Sequence, residues 1–284
     1  MAVLASVNQK GGVGKTTVVL GLAAVAARRG KRVLVIDIDP QANATSGLGV
    51  WDPTLTVDRV LAGDEPGALR AAVMASEWPA DPVRPDLVAS TPALAEREPQ
   101  LVVDPVGAQD RLAVAMGSVA DDYDLVLIDC PPSLSLLSVN GLFAADKALV
   151  VTEPAAWASD GVQRVLQTIE RIGSRRAGAL GVAGVVVNRV GRTRDARYWQ
   201  GQLEEQYRAL ATPPIRQRTA IAEASAQSLP ITALGKRSGA AQAAEDFDLL
   251  LTHLLEPAGP AEPADPTEPA AAPVPAGAEP ATRW

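Results

Sequence analysis

The chain alternates short, wholly apolar runs with longer stretches in which apolar positions recur at helical spacing. Residues 3–7 form one such run, and residues 18–26 behind it have the length and composition of a helix, with Gly30 placed to end it. Further runs lie within 31–40, within 124–132, at 148–152 and at 184–188, and a helical pattern over 160–173 separates the last two. Strands that are apolar at every position suit a sheet covered on both faces, and a helix between successive strands is the βαβ unit. The expected fold is therefore α/β, a doubly wound, mostly parallel sheet with helices on both faces. Residues 87–91 read as another strand, and 110–119 and 239–255 as helices. The stretch 51–120 is the least periodic. Trp51, Trp78 and Trp157 read as packing or interface residues, and no internal repeat is evident.

Composition narrows the class. With 284 residues, 47% of them hydrophobic, the chain can bury one large core. Its single cysteine, Cys130, rules out an intrachain disulfide and a metal or iron–sulfur site built from cysteine pairs within one chain, and reads as a small buried filler. No run reaches the length of a membrane span, and no basic segment with a cleavage site opens the chain, so a cytoplasmic protein is expected. Net charge is −7. Residues 256–284 carry five acids, one arginine and eight prolines, and are expected to be a disordered acidic Pro/Ala-rich tail behind a single domain spanning 1–255. The opposite bias appears at 189–218, where Arg189, Arg192, Arg194, Arg197, Arg208, Arg216 and Arg218 face only Asp195, Glu204 and Glu205. Of these, Arg208 is expected to pair with Glu204 or Glu205 on a helix surface.

The chemistry begins between the first strand and the first helix, at Gln9-Lys10-Gly11-Gly12-Val13-Gly14-Lys15-Thr16-Thr17. Strand, glycine loop, lysine, hydroxyl and helix in that order make a P-loop. Glycines let backbone N–H groups turn toward phosphate oxygens, and the helix N-terminus adds positive potential at the same point. Lys15 would reach the β- and γ-phosphates, and Thr16 would bind Mg²⁺. A glycine-rich turn with two solvated lysines is the plainer alternative. Two further strands end in carboxylates: Asp37 and Asp39 share a face by alternation, and Asp129 closes the run before Cys130-Pro131-Pro132. An apolar strand with a terminal Asp, this far beyond a P-loop, is the usual holder of Mg²⁺ and its water.

The loop departs from the general P-loop, having Gln9 where a glycine is usual and a second lysine, Lys10, before the paired glycines. Lys10 to Thr17 resembles the deviant P-loop of the ParA/MinD family of dimeric ATPases. Asp37-Ile38-Asp39-Pro40-Gln41 resembles the family's second motif, and Asp129 with Pro131-Pro132 its D-x-P-P switch. Asn188 matches the family's adenine-reading Asn, though a turn cap is the alternative. Residues 215–224 resemble a late ParA motif that usually has Pro where this chain has Arg216. The resemblance covers about 1–50 and 121–255.

It implies ATP and Mg²⁺ as cofactors. Lys15, Lys10 and Asp39 would be catalytic, Lys10 acting across a dimer and Asp39 positioning the attacking water. Lys10, Gly11, Gly12, Val13, Gly14, Lys15, Thr16 and Thr17 would bind nucleotide, with Asn188, Ile215 and Arg216 at the adenine. Thr16, Asp37 and Asp129 would serve the metal, Asp37 lying nearer Lys15. The implied activity is that of a DNA partition ATPase. Its ATP-bound homodimer would bind double-stranded DNA non-specifically through Arg189, Arg192, Arg194, Arg197 and Arg218. A ParB-like centromere-binding partner would stimulate hydrolysis and release. The protein would then be cytoplasmic, nucleoid-associated when ATP-bound, with no membrane partner. The P-loop starts within ten residues of the first Met, so no helix-turn-helix domain is expected ahead of it. The alternatives are a MinD-like regulator, disfavoured by the acidic tail, a related ATP-dependent ligase or cluster carrier, and a ParA-like ATPase that positions a protein array.

Overall fold

The computed structural model describes residues 1–104 and 107–256; the expected tail, beyond Glu256, lies outside them. Seven strands form one sheet: β1 (Val3–Val7), β2 (Val33–Asp37), β3 (Val73–Ala75), β4 (Asp86–Val88), β5 (Leu125–Asp129), β6 (Lys147–Thr152) and β7 (Gly181–Val187). Their order is β3-β4-β2-β5-β1-β6-β7, parallel throughout except for β3 against β4. The apolar runs sort by alternation onto two cores. Val3, Ala5, Leu34, Ile36, Val126 and Ile128 pack on one face, and Leu4, Val33, Val35, Leu125 and Leu127 on the other.

Helices cover both faces, as expected. They are α1 (Lys15–Arg28), α2 (Asn43–Gly47), α3 (Val57–Val60), α4 (Leu94–Val102), α5 (Arg111–Met116), α6 (Leu136–Ala144), α7 (Ala158–Arg175), α8 (Arg194–Gln206), α9 (Thr219–Ala226) and α10 (Ala240–Leu255). Residues of α4 to α7 join the first core, and those of α1, α9 and α10 the second. Gly21 in the middle of α1 has a packing reason: a Cβ there would stand 2.3 Å from the Phe247 ring on α10. Helix α8 buries Leu203 alone, against Ala158, Val187 and Val190, and otherwise faces solvent.

One local expectation changes. The helix expected over 110–119 ends at Met116, because Gly117 takes φ 45° and the chain continues as a 3₁₀ turn over Gly117–Asp122. The edge strand β3 escapes a pattern reading, being three residues long and incompletely buried. Trp78 is a packing residue that donates its indole N–H to the Gly47 carbonyl at 2.8 Å, whereas Trp51 and Trp157 are exposed.

Candidate nucleotide site

Beside β1 the sheet winds one way to β5 and β2 and the other way to β6, and the crevice at the strands' carboxyl ends is where open α/β sheets bind ligands. The P-loop lies there. Gly12 and Gly14 take φ 81° and 88°, a region open to glycine at no steric cost, and the second lets the chain turn directly into α1 at Lys15. A side chain at Gly14 is also excluded by space, since a Cβ would stand 2.2 Å from Asn188 Nδ2. With no side-chain cap on α1, its first N–H groups are left to face a ligand.

Pairing of β2 with β5 sets Asp37 beside Asp129 in register. Both are fully buried. Asp129 Oδ2 accepts a hydrogen bond from Thr16 Oγ1 at 2.7 Å, while its Oδ1 is buried with no partner among the described residues. Burial, then the Asp37 charge, holds the Asp129 carboxyl well above the usual range. Burial also pushes Asp37 up to about 6, against hydrogen bonds from Thr45 and Asp39 that pull it down. The Lys15 ammonium is lowered by burial, partly offset by Asp129, Cys130 and Asp39. Lys15 thus shares a buried site with Asp129 and Asp39, and Asp37 stands beside Asp129. The Thr16 hydroxyl and an unpaired carboxylate oxygen are the donor set of a hydrated Mg²⁺ completed by phosphates, and the residues fit that ion. Among the described residues no cluster of His, Cys, Asp and Glu forms an all-protein metal cage, as Mg²⁺ of this kind does not need one.

The two acids at the end of β2 have different partners. Asp37 Oδ2 accepts from the Thr45 amide and hydroxyl at 2.8 and 2.7 Å, and its Oδ1 accepts from the Asp39 amide at 3.0 Å. Asp37 therefore holds the following loop and the start of α2, and the Asp39 charge raises Lys15 against its burial. Asp39 is nearly buried, its Oδ1 accepting from the Gln41 amide and its carbonyl from Ser90 Oγ. Ser90 had no signal in the sequence, because its bonds to Thr45 and Asp39 form only once β2 and β4 are adjacent. Cys130 is buried, and burial pushes its thiol up, which suits a filler and not a nucleophile. Lys10 is exposed and forms an ion pair with Glu153 at the end of β6.

At the end of β7, Asn188 is buried and donates Nδ2–H to the Val13 carbonyl at 2.8 Å, so its amide holds the P-loop. Ile215 lies beside the same strand end, its amide donating to the Val187 carbonyl and its carbonyl accepting from the Val190 amide. The arginine segment divides. Arg218 does not belong to an open basic face: its guanidinium and that of Arg216 both donate to Asp246, a buried acid on α10, at 3.2 and 2.7 Å. Arg189 is also drawn away, donating to the Gly12 carbonyl. Arg208 makes no ion pair among the described residues, and Glu204 accepts from Gln200 instead. Arg192, Arg194 and Arg197 remain exposed at the start of α8, with no ion pair among the described residues. Asp246 had no sequence signal, lying 28 residues beyond Arg218 on another element.

Comparison with known proteins agrees with this geometry. Residues 1–181 match the family described as an AAA domain. The chain is 40% identical to the chromosome-partitioning ATPase Soj of Thermus thermophilus over 205 residues, which is 72% of this chain and 76% of that one. It is 36% identical over 245 residues to an uncharacterized Mycobacterium tuberculosis protein, covering 85% and 75%. Among solved structures, a Mycobacterium smegmatis cobyrinic acid a,c-diamide synthase with bound ATP analog and magnesium is similar at TM-score 0.72 and 31% identity, covering 89% and 95%. The Pyrococcus furiosus cell division ATPase MinD is similar at TM-score 0.70 and 26% identity, covering 89% and 98%. The chain belongs to the ParA/MinD family of P-loop ATPases.

Proposed function

We propose that this ATPase partitions DNA, binding non-specific duplex as an ATP-closed homodimer and releasing it on hydrolysis stimulated by a ParB-like partner. The observation that carries the reading is the exposed cluster Arg192, Arg194 and Arg197, which starts four residues beyond the P-loop-holding Asn188. Phosphates are the natural counterpart of such a face, and binding through them carries little sequence preference. The likeness to Soj supports the same reading.

In this mechanism the N–H groups of the P-loop and Lys15 take the phosphates of ATP. Thr16 and Asp129 would hold Mg²⁺, which would supply positive charge to the phosphates. Asp39, held by its bond from the Gln41 amide, orients the attacking water. Lys10 leaves Glu153 and reaches the phosphates of the second subunit. That ion pair is surface-exposed, and such pairs contribute about 0–1 kcal/mol, so the exchange is open to it.

The test is a titration of random-sequence duplex by interferometry with MgATP and with MgADP at two salt concentrations. Binding is expected with ATP alone and should weaken steeply with salt. Absence of DNA binding, or binding that ignores nucleotide and salt, sends the ATPase to another cargo. A second reading, an ATP-dependent ligase, is favoured by the 31% identity to the cobyrinic acid a,c-diamide synthase, which this chain covers almost end to end. It predicts ATP turnover that DNA leaves unchanged.

A further inference from the structure

Two successive residues at the end of β7 hold two successive carbonyls of the P-loop. Asn188 Nδ2 donates to the Val13 carbonyl and Arg189 Nη1 to the Gly12 carbonyl. A trans peptide is planar, with C=O and the following N–H on opposite sides. Anchoring the Gly12 carbonyl toward Arg189 therefore fixes the Val13 N–H on the other side. Anchoring the Val13 carbonyl toward Asn188 does the same for the Gly14 N–H. These are amides that a P-loop turns toward phosphate. The Arg189 backbone bears on the same point. It takes φ 55°, in the left-handed region that a long, Cβ-bearing side chain seldom enters. Backbone strain of this kind persists where the surroundings over-determine it, and it clusters at functional sites. Here the surroundings are explicit. The Asn188 amide donates to the Thr152 carbonyl at 2.7 Å, and the Val190 amide to the Ile215 carbonyl at 3.0 Å, so the chain is pinned on either side of Arg189.

We infer that Arg189 is a positioning residue of the phosphate site, orienting the Gly12–Val13 peptide for nucleotide, and not a contact to DNA. It touches neither phosphate nor water in the reaction. Its part is to spare the loop from ordering itself when ATP arrives, a cost that preorganisation removes. The inference rests on the P-loop's nucleotide role and is independent of DNA binding. It also gives Arg189 and Arg192, three residues apart, different duties, although their residue type is the same.

The experiment compares full-length wild type with Arg189→Gly, which keeps the left-handed backbone and loses the guanidinium, and with Arg189→Lys, which keeps a cation able to reach a carbonyl. The probe is a fluorescent ATP analogue with Mg²⁺. A hydrogen bond from a charged donor corresponds to about tenfold in an equilibrium constant. The Gly variant is expected to bind the analogue about tenfold more weakly, with kcat at saturating ATP little changed and Lys restoring part of the affinity. Amide hydrogen exchange in residues 11–14 of the nucleotide-free protein should rise, while exchange in β5 and α10 stays as in wild type. DNA binding at saturating nucleotide should keep its salt dependence. Unchanged nucleotide affinity overturns the inference, whether or not the salt slope falls by the ~0.9 expected of a lost phosphate contact. Exchange that rises throughout the domain overturns it too, since Arg189 would then be an ordinary structural residue. If the wild type binds no DNA, the partition reading fails while the nucleotide and exchange arms still decide this one.

Discussion

The phosphate edge of the sheet and the arginine segment beyond β7 are both rich in charge, and the fold treats them in opposite ways. At the phosphate edge, Asp37, Asp129 and Lys15 stay together in a buried crevice, where burial shifts their protonation and leaves Asp129 Oδ1 unpaired. In the arginine segment, several side chains are drawn to partners within the fold: Arg216 and Arg218 share the Asp246 carboxylate, and Arg189 donates to a P-loop carbonyl. Among the candidate DNA contacts, Arg192, Arg194 and Arg197 are exposed without an ion pair among the described residues, Arg197 donating to the neighbouring Arg192 carbonyl at 2.8 Å. Charges left uncompensated inside a fold cost free energy, so they mark a site that expects a ligand. Charges in a sequence cluster mark a surface only when the fold leaves them unpaired.

The largest effect should come from the phosphate edge. In the proposed mechanism Asp39→Ala removes the carboxylate that would orient water, and a positioned general base contributes about 10²–10⁴-fold. Single-turnover hydrolysis should fall by at least about a hundredfold while affinity for the ATP analogue is kept. Hydrolysis at the wild-type rate would take Asp39 out of the mechanism.

The arginine segment predicts a division of smaller effects. Arg194→Ala/Arg197→Ala should lower the log–log salt slope of DNA binding by about 1.8 for each subunit on the duplex and leave the urea midpoint unchanged. Arg218→Ala should do the reverse: an unchanged slope, with stability reduced by about 1–2 kcal/mol, because a buried carboxylate loses one of its two donor side chains. If Arg218→Ala lowers the slope and the double variant does not, the division is inverted.

How far the sequence carries follows the same line. The strands, the P-loop and the three acids are legible because each is a local pattern: an apolar run, a glycine spacing, a carboxylate at a run's end. Asp37 is legible as a site residue but not as the group that holds Thr45, which becomes its neighbour only after the chain turns back. The arginines are legible as a cluster. Their fates are not, because Asp246 and the Gly12 carbonyl come from 28 residues later and 177 residues earlier. Strand β3 is invisible for a further reason: a three-residue edge strand has no full period to read.

A smaller effect belongs to pH. The Asp37 carboxyl is raised in the folded state to about 6, above the ~3.9 of an unfolded Asp. Between these values the folded chain binds more protons than the unfolded one. The stability this group contributes is therefore present below pH ~4 and is lost as pH rises through about 6. Urea titrations of the nucleotide-free protein should show a fall of about 1 kcal/mol between pH 5 and pH 7 that Asp37→Asn removes. The same fall in the Asn variant would place its origin elsewhere.

The central claim is that occupancy of the buried phosphate site controls the exposed arginine face. It is tested most directly by one comparison, the binding of wild type and Lys15→Ala to random duplex in the presence of MgATP. Lys15 is buried at the start of α1 and is remote in sequence from α8, so it cannot serve as a DNA contact itself. The account predicts ATP-dependent, salt-sensitive binding by wild type and none above the nucleotide-free level by Lys15→Ala. Equal binding by the two proteins would contradict it.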